Sequence, residues 1–143
     1  MNDYIQQFAA KFGVFDMVRT TRMPNTRRAL AIAEFARDRG KLDDFRKLTL
    51  AAHWQEGRDI EDDKVLHDIA IASSLPPDDA LSTATDPVYL DRIAAVRSEF
   101  KSLDIGGIPA FVFDNEIIEG CQTYEVIVEA ALRAGVRPRI TSP

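Results

Sequence analysis

The sequence contains one cysteine, Cys121, in 143 residues. A single thiol excludes an intrachain disulfide and any metal site assembled from several thiolates. Histidine is almost as scarce. His53 and His67 fall on separate predicted helices with no third ligand nearby, which does not make a zinc site. His53, beside Trp54, is expected at a helix flank. No apolar run approaches the roughly 18 residues that a membrane-spanning helix needs, so no membrane partner is expected. The opening MNDYIQQFAAKFG carries Asp3 where a secretory signal has basic charge, and no apolar stretch leads to a small-residue cleavage site. The expected location is therefore the cytoplasm. A glycine-rich phosphate loop, a nucleophile elbow, internal repeats and low-complexity tracts are all missing. With a net charge of −5 there is no surplus of positive charge to grip nucleic-acid phosphate.

What is present is an ordinary folded composition, 45% hydrophobic and 29% charged. Most of it has helical period. Asp3 to about Phe12 suits a short helix ended by Gly13. Val14–Val18 alternates loosely, as a short strand or an extended loop. Asn25 or Thr26 can cap the next helix, which stops at Gly40 and has Leu30, Ala33 and Ala36 at helical spacing. Leu42 to Glu56 follows, with Asp43 and Asp44 at the positive end of the helix dipole and Phe45, Leu48, Ala52 and Trp54 as its apolar side. Asp62 is expected to cap a helix whose buried stripe is Val65, Leu66, Ile69 and Ala72. A short helix over Pro77–Ala84 and a longer one over Pro87–Leu103 complete the series, the latter opened by Asp86-Pro87.

Then the period changes. Ile108–Phe113 is a compact apolar run, Asp114-Asn115 suits a two-residue turn, and Glu116–Glu119 returns as a second strand. A last helix runs from about Tyr124 to Ala134 after Thr123. The FVF segment is apolar on both faces, because neighbouring strand residues point to opposite sides. It reads as a central strand covered above and below. A lone two-stranded sheet is marginal, and an open apolar edge invites another chain. The stretch near Val14, a second copy of the chain, or the rest of a larger domain would have to supply the missing partners; the last two are favoured.

The succession of a helical cluster, GIPAFVFDNEIIEGCQ and a terminal helix resembles the DsbA family of thioredoxin-fold proteins. It is most similar to the FrnE-like and 2-hydroxychromene-2-carboxylate-isomerase-like branch. The similarity rests on Phe15-Asp16, Pro24-Asn25-Thr26, Glu56-Gly57-Arg58-Asp59-Ile60, Asp63-Lys64-Val65-Leu66, Gly107–Val112 and Gly120-Cys121-Gln122. It implies an α+β, predominantly helical fold: an incomplete thioredoxin-like fold, made of a C-terminal β-hairpin plus helix, with a DsbA-type helical domain. The implied organisation is an N-terminal helix and extended segment (1–24), the helical domain (25–103) and the C-terminal part of the thioredoxin fold (104–143). The family's opening strand and its Cys-x-x-Cys or Ser-containing motif are not found in these residues.

The resemblance also implies that Ile108–Pro109 is a cis bond and that Ile108 and Pro109 bind substrate, the residue before the proline pairing with an extended peptide. No catalytic residue, metal ligand or cofactor is expected. Cys121 stands where relatives usually have alanine and is expected as a small buried residue; the alternative is a thiol open to glutathionylation or to a partner. Arg19, Arg22, Arg27 and Arg28 read as a solvated basic face, with the binding of an anion such as a thiol cofactor's carboxylate as the alternative. Glu61, Asp62 and Asp63 read as capping and solvation. The resulting expectation is a protein of the disulfide oxidoreductase family without dithiol chemistry in this chain, because exchange proceeds through a mixed disulfide that a second thiol resolves. A homodimer through the sheet edge is the expected partner state, with a peptide or thiol partner possible. Two alternatives are the C-terminal part of an active oxidoreductase or glutathione-dependent isomerase, and a small helical adaptor binding a peptide by strand addition.

Overall fold

The computed structural model describes residues 2–20 and 22–137. Residues 1 and 21 of the expected N-terminal segment and 138–143 of the C-terminal one lie outside the described residues. The chain divides into two compact units, one up to Ala95 and one from Val96 onward. Its helices are α1 (Asn2–Ala10), α2 (Arg27–Asp38), α3 (Leu42–Trp54), α4 (Asp63–Ala72), α5 (Pro77–Ser82), α6 (Pro87–Ser102) and α7 (Tyr124–Arg133); the strands β1 (Ala110–Phe113) and β2 (Glu116–Glu119) lie between the last two. The unit boundary falls within α6. Among the described residues, no helix is long and apolar enough to cross a membrane.

In the first unit, short polar side chains start the helices. Asn25 rather than Thr26 serves α2, its Oδ1 accepting from Arg27 N–H at 3.0 Å. Asp62 accepts from Lys64 N–H and Val65 N–H, and Asp86 from Val88 N–H ahead of Pro87. Gly57 ends α3 with φ +67, and a Cβ there would lie 3.2 Å from Val18 Cγ2. The helix between Pro77 and Ala84 is split: α5 gives way to a 3-10 turn over Thr83–Thr85, with the buried Thr83 hydroxyl donating to Ala80 C=O.

The core gathers Ile32 and Phe35 of α2, Phe45 of α3, Leu66 and Ile69 of α4, and Leu75. Two expected stripes are corrected. Leu30 is exposed, and α2 turns Ala29, Ile32, Phe35 and Ala36 inward. Ala72 is exposed, whereas Leu66, Ile69, Ala70 and Ser73 are buried at i, i+3, i+4 and i+7. Within this unit the start of α6 is fastened to α2. Tyr89 meets the Phe35 ring edge-on at 6.0 Å, and Arg92 Nη1 donates to both Asp38 carboxylate oxygens at 2.8 and 2.9 Å. That hydrogen bond is the main cause that holds the Asp38 carboxyl below its ordinary value.

Residues 14–18 form no strand. They are irregular chain tied to the end of α3 by Val18 N–H on Trp54 C=O at 2.7 Å and by Nε2 of the following Gln55 on Asp16 Oδ2 at 2.6 Å. Among the described residues the sheet therefore has two strands only, β1 and β2, paired antiparallel.

Candidate functional site

The second unit is built around this hairpin. Its two-residue turn, Asp114-Asn115, sets the register: Phe113 faces Glu116, Val112 faces Ile117, Phe111 faces Ile118 and Ala110 faces Glu119. Beyond the strand end, Gly120 N–H donates to Pro109 C=O at 2.7 Å. In an antiparallel ladder, hydrogen-bonded and non-hydrogen-bonded pairs alternate. Counting from that bond, Phe111 and Phe113 direct their N–H and C=O toward β2, while Ala110 and Val112 direct theirs to the open edge of β1. By the same count Ile117 and Glu119 face the opposite edge.

The two faces of the hairpin differ as well. Phe111, Phe113, Glu116 and Ile118 share one face, and α7 packs against β1. Arg133 of α7 grips Glu116 with Nη2 and Nε, at 2.6 and 3.1 Å, and this pairing is the main reason the Glu116 carboxyl sits below its ordinary value. Ala110, Val112, Ile117 and Glu119 share the other face, where Val112 and Ile117 are 47% and 41% exposed. The expectation of a strand covered above and below is thus corrected within this unit: α7 packs on one face only, and even there Phe111 is 36% exposed.

The chain enters β1 through Gly106-Gly107-Ile108-Pro109. The Ile108–Pro109 bond is cis, and Ile108 is 80% exposed. Gly106 N–H donates to Glu119 Oε1 at 2.7 Å, which ties the loop to the end of β2. Glu119 escaped notice in the sequence. A usable signal was there, since a two-residue turn at Asp114-Asn115 already sets Glu119 opposite Ala110.

Other candidate residues are placed elsewhere or alone. Cys121 is exposed, which corrects the expected burial; it follows Gly120 at the end of the hairpin. His53 is also corrected. It is 6% exposed rather than lying on a flank, its Nδ1 has no hydrogen-bond partner among the described residues, and its ring meets Trp54 edge-on at 4.7 Å. Arg22 pairs with Asp59 and Glu61, and Arg28 with Asp63, so part of the basic face is met by the acidic run of the same chain. Among the described residues, no group of His, Cys, Asp and Glu is disposed to hold a metal ion. A cavity of about 280 Å³ lies along α3, bounded by Val14, Met17, Lys47, Leu50 and Trp54.

A helical unit followed by a cis-proline hairpin and a closing helix is matched by a family profile, the DSBA-like thioredoxin domain, over residues 1–131. The chain belongs to this family. Among solved structures, a probable DsbA oxidoreductase from Streptomyces coelicolor is similar, with a TM-score of 0.81 and 24% identity over 99% of this chain and 62% of that one. The chain thus spans less than two thirds of that DsbA-like structure. No curated protein matches significantly. The DsbA-like fold accounts for the mostly helical α+β architecture and for the order of its parts.

Proposed function

We propose that this chain is a peptide-docking member of the FrnE-like branch of the DsbA family, and that it runs no dithiol cycle on its own residues. An extended polypeptide pairs with the open edge of β1, beginning at Ile108 and Pro109. The observation that carries this reading is the outward set of main-chain groups at Ala110 and Val112, next to an exposed Ile108. Strand addition uses such groups for affinity and the alternate side chains for selectivity. The two edges are unequal. Residues 105–113 bear no charge, whereas β2 begins and ends with Glu116 and Glu119, and charge on an edge strand discourages pairing.

A second copy is the rival occupant of this edge. Paired antiparallel along β1, it would bring its own α7 onto the same face of the joined sheet. Adjacent strands lie about 4.8 Å apart, yet packed helices need about 8–10 Å between axes. A peptide brings no helix, which favours it.

The test compares Val112→Pro with Ile117→Pro. Each removes an N–H that points away from the hairpin, where proline is tolerated. Binding of a fluorescent, unstructured, alkylated peptide is followed by anisotropy. V112P is expected to weaken binding about fivefold or more, the worth of one lost hydrogen bond, while I117P binds as the parent does. Equal losses in both variants, or no binding by the parent chain, would overturn the proposal.

A further inference from the structure

Glu119 stands apart from the other carboxylates of the hairpin. Glu116 is neutralised by Arg133, but among the described residues no cation pairs with Glu119. Its Oε1 is occupied by Gly106 N–H at 2.7 Å. Among the described residues its Oε2 takes up no hydrogen bond, and it lies where a Cβ on Gly106 or Gly107 would sit 3.5 and 3.8 Å away. The carboxylate therefore rests on the bare backbone of two glycines, one residue from the exposed Ile108. Register puts it opposite Ala110, on the uncovered face. No side chain larger than a methyl group stands on Gly106, Gly107 or Ala110 to screen it.

From these observations we infer that Glu119 makes the docking edge selective for extended peptides carrying lysine or arginine, and that the same carboxylate positions the loop which presents Ile108. This rests on the docking reading above. A peptide strand beside β1 lies two strand spacings, about 10 Å, from β2. The four-carbon stem of a lysine, leaning over Ala110 or the paired glycines, spans most of that distance, and the Glu119 side chain spans the rest. A cation then meets the free Oε2 without displacing the Gly106 hydrogen bond. An acidic side chain at the same place meets an unneutralised carboxylate and is repelled. Asp104 and Asp114, which flank the uncharged stretch, carry the same sign and oppose an acidic peptide further.

The two roles of Glu119 separate experimentally. Three labelled peptides, identical except for a central lysine, alanine or glutamate, are titrated against the full chain and its variants. The parent is expected to prefer the lysine peptide over the glutamate one by about five- to tenfold at low salt, the scale of exposed charge pairs acting with opposite sign, and the preference shrinks as salt is raised. Glu119→Gln keeps an acceptor for Gly106 N–H. Its lysine-to-glutamate ratio is expected to fall close to one while all three peptides still bind. Glu119→Ala loses the tie as well and weakens all three. Equal parental affinity for the lysine and glutamate peptides, or a ratio unchanged in E119Q, would overturn the inference and leave docking intact. Failure to bind any of the three would remove docking itself, and the selectivity with it.

Discussion

Replacing His53 with phenylalanine should stabilise the helical unit. The imidazole sits in the last turn of α3 at 6% exposure, and its Nδ1 has no hydrogen-bond partner among the described residues. A buried polar atom left unmet costs about 1–3 kcal/mol. Phenylalanine removes that atom and keeps an aromatic ring against Trp54, which His53 meets at 4.7 Å and 68°. The ring is slightly larger, and overpacking takes back part of the gain. The expected net is about 1 kcal/mol in favour of H53F, read from urea unfolding followed by far-UV circular dichroism. His53→Leu also removes the unmet atom but forfeits the aromatic contact, worth about 0.5–1.5 kcal/mol, and should come out near neutral. If H53F were instead destabilised by more than about 1 kcal/mol, Nδ1 would have a partner of its own and the histidine would have to be reconsidered as a working group.

Three further outcomes follow from the same geometry. Asp38 is held below its ordinary value of 3.8 chiefly by its hydrogen bond with Arg92, so the stability it contributes is present above that value and fades as the pH falls through the lowered one; Arg92→Met should therefore lose stability at neutral pH, and its difference from the parent should vanish in strong acid. Cys121 is exposed, so one equivalent of thiol should react with an aromatic disulfide reagent in the folded chain without denaturant, and a thiol released only on unfolding would contradict its placement. Light scattering should report a mass near 16.0 kDa if the edge of β1 awaits a peptide, and twice that, reversed by V112P, if a second copy fills it.

Punctuation was the most legible part of the sequence. Asp62 and Asp86 act through bonds to residues two or three positions away, and Gly57 through its own positive φ, so the local order of residues is enough to place them. The inward faces were harder to assign. Leu30 is more apolar than Ala29, yet the placement of α3 and α4 decides which side of α2 is buried, and that information lies outside α2. The same holds for Ala72 against Ser73, whose hydroxyl can be buried because it donates to Ile69 C=O at 2.8 Å. The unusual character of Phe111–Phe113 was visible as an apolar segment without alternation. That α7 would cover one face and leave Val112 and Ile117 open was not, because it depends on where a helix returns after Gly120. Burial of Cys121 was carried over from relatives that have alanine there, and a preference for a small residue says nothing about packing when the neighbouring face is bare.

That bare face links binding to folding. From Val96 onward, Ala130 is the only fully buried side chain among the described residues, whereas the first unit buries Phe45, Ile32 and Leu66. A unit with so little core opens at low cost, and a ligand that pairs with its edge adds stability by mass action, about 2.7 kcal/mol at a hundredfold excess over Kd. Hydrogen exchange can locate that gain residue by residue. The N–H groups of Ala110 and Val112 point out of the hairpin on the β1 side, and those of Ile117 and Glu119 point out on the β2 side. All four should exchange fast in the free chain. A docked peptide should slow Ala110 and Val112, because they become donors to its carbonyls, and leave Ile117 and Glu119 fast. Protection of all four alike would mean that the ligand tightens the whole unit from some other surface. The open edge of β1 would then be only an exposed strand.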